Sequence, residues 1–164
     1  MRYRNARWGF CVRPVPGWTD SNEGVDRAGA AFFYSPVHDY SERDATIIRV
    51  GALPNQSKDL DQPDVQRDLG DYAREFATEL AGSASHVQVS DPIFCKLNGV
   101  PAVSREATFI RDSTDRYKRE IFALQGGQVY MLTLECPLSQ RQRFEPAFQV
   151  MVQTFHFRCP TLRR

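Results

Sequence analysis

The sequence predicts an α+β fold: a central, mostly antiparallel β-sheet with helices packed on its faces, formed by residues 1–164 as one domain. Three observations predict it. From His86 to Glu135 apolar and polar residues alternate with a period of two, broken by short turns, as in an antiparallel meander. Two other stretches repeat apolar residues at steps of three and four, as helices with one buried face do. The chain has 164 residues, 41% hydrophobic and 12% aromatic, enough for one core and inconsistent with global disorder.

The first element is Trp8-Gly9-Phe10-Cys11-Val12-Arg13-Pro14, a strand with Phe10 and Val12 on one face and Cys11 and Arg13 on the other. Pro14, Pro16 and Gly17 end it, because proline brings no N–H to a ladder, and Trp18 is placed to fold back as a core plug. Thr19 to Asp26 reads as loop. Ala30–Tyr34 and Ala45–Leu53 are strands, the second rich in β-branched residues, and the polar segments 35–44 and 55–62 are loops beside them. The strongest helix signal runs from Pro63 to Ala81. Its stripe is Val65, Leu69, Tyr72, Ala73, Phe76 and Leu80; Asp61 or Gln62 is placed to cap it, and Gly82 to stop it.

Beyond that helix, His86–Val89, Ile93–Leu97, Pro101–Arg111, Tyr117–Gln125 and Gln128–Glu135 read as strands. Asn98-Gly99, Asp112–Asp115 and Gly126-Gly127 are their turns, Asn-Gly being the favoured pair of a type I′ hairpin. Ser139 and Gln142 have the spacing of a capping box for a second helix, whose stripe is Phe144, Phe148, Met151, Val152 and Phe155. Pro146 predicts a kink there or a start near Glu145. Phe155-His156-Phe157 closes the chain as a short strand or docked tail.

Charge is balanced, 21 Lys+Arg against 20 Asp+Glu, and the arginines are scattered. A nucleic-acid partner calls for a basic excess, so none is expected. No apolar run approaches the ~20 residues of a transmembrane helix, so membrane attachment would need a leader that this sequence does not contain. The opening Met1-Arg2-Tyr3-Arg4-Asn5 leaves two locations open: the cytoplasm, or an extracytoplasmic compartment after removal of a signal or lipoprotein leader. In an oxidising compartment Cys11, Cys95, Cys136 and Cys159 allow two disulfides; otherwise they are buried thiols. Cys136 and Cys159, each before a proline at a strand end, are the candidate disulfide residues.

No G-x-S-x-G, H-E-x-x-H or glycine-rich phosphate loop occurs, and the cysteine spacing is not that of a zinc site. No catalytic residue, metal or cofactor is therefore expected. Cys95 and His86 would act as nucleophile and base only if the fold joined them. His38, Asp39, Glu42 and Asp44 put oxygen and nitrogen donors in one loop, without the glycine and spacing of a calcium hand. The candidate interface residues are Tyr40, His38 and Asp39 in that loop, with Trp8 and Tyr3 in the aromatic N-terminal segment, because aromatics dominate binding hot spots and loops vary without disturbing a scaffold.

The order of several pieces resembles a known family. Tyr3-x-Asn5-x-x-Trp8-Gly9-Phe10-x-Val12, followed by Val15-Pro16-Gly17-Trp18, looks like the opening of PsbP-like proteins. Gly99-x-Pro101-Ala102, Gly127-x-x-Tyr130-x-Leu132 and Pro146-x-Phe148, then Thr154-Phe155-x-Phe157, continue the likeness along nearly the whole chain. The resemblance implies the α/β/α sandwich shared by PsbP, the yeast Ran-binding Mog protein and bacterial envelope proteins of the DcrB and LpqN type. It also implies a non-catalytic module that binds another protein, as an adaptor or accessory subunit, in a bacterial periplasm or envelope. Two other functions stay in view. One is a small-molecule or lipid carrier with a cleft between the sheet and the 63–81 helix, suggested by the eleven Phe. The other is an enzyme with its site at the His38 loop.

Overall fold

The computed structural model describes residues 3–21, 30–34, 46–54 and 64–160. Along them run β1 (Tyr3–Arg4), β2 (Cys11–Val12), β3 (Thr19–Ser21), β4 (Ala30–Tyr34), β5 (Ile47–Pro54), α1 (Val65–Ser83), β6 (Ser85–Val89), β7 (Ile93–Leu97), β8 (Val100–Arg111), β9 (Thr114–Gln125), β10 (Gln128–Pro137), a 3-10 turn (Leu138–Gln140) and α2 (Arg141–Thr154). β1 and β2 pair with each other. The other strands form one sheet in the order β3-β4-β5-β10-β9-β8-β6, with β7 also paired to β8.

Turn chemistry lays out the centre of this sheet. Asn98 and Gly99, Asp112 and Ser113, and Gly126 and Gly127 all have positive φ, between 46° and 82°. Paired left-handed residues are what a two-residue hairpin requires, and these three turns string β7, β8, β9 and β10 into the expected meander. β6 and β7 divide the outer edge of β8 between them. β7 lies along Val100–Ser104 and β6 along Ala107–Ile110.

Because side chains alternate across a strand, each face of the sheet acquires its own core. Val103, Phe109, Phe122 and Val129 meet Leu69, Ala73, Phe76 and Leu80 of α1. On the opposite face Val50, Ile121, Leu132 and Leu134 meet Phe144, Phe148 and Met151 of α2, together with Phe10, Val12, Phe155 and Phe157 from the two end segments. One helix per face makes the α/β/α sandwich.

Four expectations are corrected here. α1 is capped by Asp64, whose carboxylate accepts the Arg67 N–H at 3.1 Å, and runs on to Ser83; Asp61 and Gln62 lie outside the described residues. Val65, expected in the apolar stripe, is exposed, and Asp68, outside that stripe, is buried. The Ser139/Gln142 capping box does not form, because Ser139 is taken up in the 3-10 turn and Gln140 stands at the cap without a side-chain bond. The first strand shrinks to Cys11–Val12, and Cys11 is as buried as its neighbours. Its backbone exchanges hydrogen bonds with His156, at 2.9 and 2.8 Å, so the C-terminal tail covers it.

Candidate functional site

Asn5 organises the N-terminal turn. It is buried, and its side-chain Oδ1 accepts the N–H of Arg7 at 3.1 Å and of Trp8 at 2.9 Å, while its backbone joins Phe10 and Gly9. An Asn side chain that satisfies the backbone two and three residues on is an Asx-type turn. Gly9, at φ +75°, completes the reversal. The spacing Asn5-x-x-Trp8-Gly9-Phe10 is thus a folding instruction: Phe10 goes into the core, while Arg7 and Trp8 are held at the surface.

Tyr3 is tied to the same turn, its hydroxyl accepting from Asn5 Nδ2 at 3.3 Å and its ring 6.2 Å from Phe10. Trp8 is half-buried under the Arg7 guanidinium, 5.2 Å from the ring centroid, and its buried Nε1–H has no hydrogen-bond acceptor among the described residues. Across from it stands the β9–β10 hairpin tip. Between them opens a cleft of about 440 Å³, with Tyr130 and Phe157 among its walls, amides from Gln125 and Gln128, and Arg158 beside Arg7 as a second cation. Tyr130 donates to Gln128 Oε1 at 2.8 Å, and burial raises its phenol above the ordinary value against the pull of Arg158. Among the described residues none that lines it is acidic. The cleft offers cations, hydrogen-bond donors and aromatic faces.

A second polar cluster ties α2 to the other end of the sheet. Tyr117 Oη lies 2.8 Å from Glu106 and 2.6 Å from Glu145, and Arg141 reaches the same carboxylates at 3.3 and 3.6 Å with its guanidinium 4.3 Å over the tyrosine ring. Burial first, then the bonds to Glu145 and Glu106, drive the Tyr117 phenol far above its usual range. It therefore stays protonated, a donor to carboxylates and neither base nor nucleophile. None of its members was singled out in the sequence, because Glu106, Tyr117 and Glu145 come from three separate elements. The available signal was the i,i+4 spacing of Arg141 and Glu145.

Tyr3 and Trp8 come together at the N-terminal turn. Trp18 plugs the core edge, edge-on to Phe144 at 5.8 Å. Tyr40, His38 and Asp39 lie outside the described residues, as does the whole 55–62 loop. The structure does not join Cys136 to Cys159, and none of the four cysteines is in a disulfide. Cys159 bonds to Gly9 beside the cleft, and Tyr130, also there, precedes Cys136 by six residues along β10. That separation is about 20 Å, against the ~4–7 Å between Cα atoms of a disulfide. Burial also pushes the Cys136 thiol up to about 11. Cys95 and His86 are likewise apart, since they flank opposite halves of β8. Among the described residues no three His, Cys, Asp or Glu gather to hold a metal, and no helix is long and apolar enough to cross a membrane. The space between α1 and the sheet is filled by Leu69, Ala73, Phe76 and Leu80, none more than 2% exposed.

No family model and no curated protein matches the chain. Solved structures do. The cyanobacterial PsbP (CyanoP) of Synechocystis sp. PCC 6803 has a TM-score of 0.64 at 12% identity, over 95% of this chain and 91% of its own. LpqN of Mycobacterium tuberculosis, involved in cell envelope biogenesis, has a TM-score of 0.64 at 14% identity, over 94% and 88%. The Pseudomonas aeruginosa protein PA94, of unknown function, has 0.61 at 17% identity, over 98% of each chain. At such identities the likeness is one of fold. With one helix on each face of a mostly antiparallel sheet, and matches that span nearly the whole chain, the protein has the PsbP-like fold.

Proposed function

We propose that the protein is a non-catalytic binding module, an adaptor or accessory subunit of a bacterial cell envelope, that receives a segment of a partner protein in the cleft at its N-terminal turn. One observation carries the reading: Arg7, Trp8, Tyr130 and Arg158 line a single cleft. Trp, Tyr and Arg are the residues most enriched at binding hot spots, and the cleft brings all three together. The envelope location draws its support from the fold shared with LpqN.

The test is cross-linking in the native host, followed by affinity purification from separated envelope and cytosolic fractions. One dominant envelope partner is expected, with its affinity lowered at least about 30-fold by Trp8→Ala, the ~2 kcal/mol of a hot-spot side chain. Arg158→Glu should act in the same direction. Retention of the partner by both folded variants would refute the cleft. Steady turnover of a substrate, lost on mutating a polar cluster, would refute a non-catalytic role.

A further inference from the structure

The two strands on the outer edge of β8 differ in one respect. β6 carries a register break between Ser85 and Gln88, and exposes Ser85, His86 and Gln88. Bulges and polar residues are how an edge avoids further pairing. β7 has an unbroken register with β8 and, among the described residues, pairs with no other strand. It also leaves apolar side chains in water: Ile93 is 66% exposed, Phe94 47%, and Cys95 is exposed as well. A regular, apolar, unpaired edge is a template for another strand.

The sequence of β7 narrows which strand. In a two-residue hairpin the residues flanking the turn form a hydrogen-bonded pair, here Leu97 and Val100. Alternation then directs the backbone groups of Cys95 and Ile93 towards β8 and those of Phe94 and Lys96 outward. Pro101 opposite Lys96 fits this, for it has no N–H and none is wanted there.

Now consider a second copy of β7 laid antiparallel on the first. A two-fold axis between residues would set outward groups against inward ones. An axis through Lys96 would set ammonium against ammonium. An axis through Phe94 would bring Lys96 to Pro92, which lacks the N–H to complete the pair. An axis through Cys95 sets Phe94 against Lys96 on both sides, so every outward N–H and C=O of these residues is satisfied. It also seats each Lys96 ammonium by a Phe94 ring, a cation–π arrangement. The thiols of the two copies then face each other across a non-hydrogen-bonded pair, where Cα atoms are ~4.5 Å apart.

We propose that the chain forms a two-fold dimer through β7, antiparallel about an axis at Cys95, which joins the two sheets into one. The contact uses none of the residues lining the N-terminal cleft, and it stands or falls separately from the binding function proposed there.

Sedimentation of the full chain over a wide concentration range should show a monomer–dimer equilibrium. Phe94→Lys, which sets lysine against lysine, should weaken it at least about tenfold, and adding Lys96→Glu should restore it; circular dichroism checks that each variant folds. Diamide then reads the register, taking two protons and two electrons from a pair of thiols as the sulfur–sulfur bond forms. A covalent dimer is expected from the native chain and from Cys159→Ser, and none from Cys95→Ser. A monomer at every concentration would overturn the proposal and leave the edge to a strand of another protein. A dimer indifferent to Phe94→Lys, or cross-linked without Cys95, would overturn it too.

Discussion

Single side chains carry most of what is distinctive here. Asn5 is the clearest case: one buried oxygen satisfies two backbone donors and so shapes the turn that presents Arg7 and Trp8. Asn5→Ala should lower stability by about 1–3 kcal/mol, the range for stranding buried donors, while Asn5→Asp, which keeps the acceptor, should retain most of it; denaturant midpoints distinguish the two. Glu120 offers a test by pH. It is buried between Lys118, whose Nζ is 3.3 Å from its carboxylate, and the Glu79 side of α1. Burial raises its carboxyl above the ordinary 4.5, and Glu79 adds to the effect, while Lys118 and Arg49 oppose it. An acid that holds its proton more tightly when folded contributes stability in full below its unfolded value. That contribution is lost as pH climbs through the raised one. Glu120→Gln cannot ionise, so its stability should fall less than that of the native chain as pH rises from 4.5 towards neutrality. Identical profiles would refute this.

At the scale of elements, the helices and the meander were legible because their signals are local. Asn98-Gly99 and Gly126-Gly127 name their turns outright, and the α1 stripe from Leu69 to Leu80 names its buried face. The end segments were not legible. Cys11 alternates with Phe10 and Val12 in sequence, yet it is buried because His156, from the far end of the chain, pairs with its backbone. The cleft was half legible for the same reason. Trp8 stood out as an aromatic, but Arg158 and the hairpin tip join it only through the fold. Nothing local relates Cys136 to the end of β10 remote from Cys159. Pro146 is the element-scale oddity, an exposed proline in the interior of α2, where it withholds the N–H that would bond to Gln142. Pro146→Ala should therefore raise stability by about 1–3 kcal/mol, read as a higher melting temperature with unchanged packing around Phe144 and Phe148. A destabilised variant would mean that the proline fixes the geometry of the helix.

For the molecule as a whole, the two faces of the sheet draw on the chain in different ways. Beneath α1, every buried residue falls between Leu69 and Val129. The opposite core begins at Phe10 and ends at Phe157. Closing a long loop loses more chain entropy than closing a short one, and synthesis delivers the N-terminal part first. Topology thus sets an order of assembly. On the ribosome, α1 and the hairpins it covers can settle while Phe10 and Val12 are already made and Phe148, Phe155 and Phe157, which share their core, are not yet translated. Phe155 and Phe157, made after every strand, are the residues that shut that core.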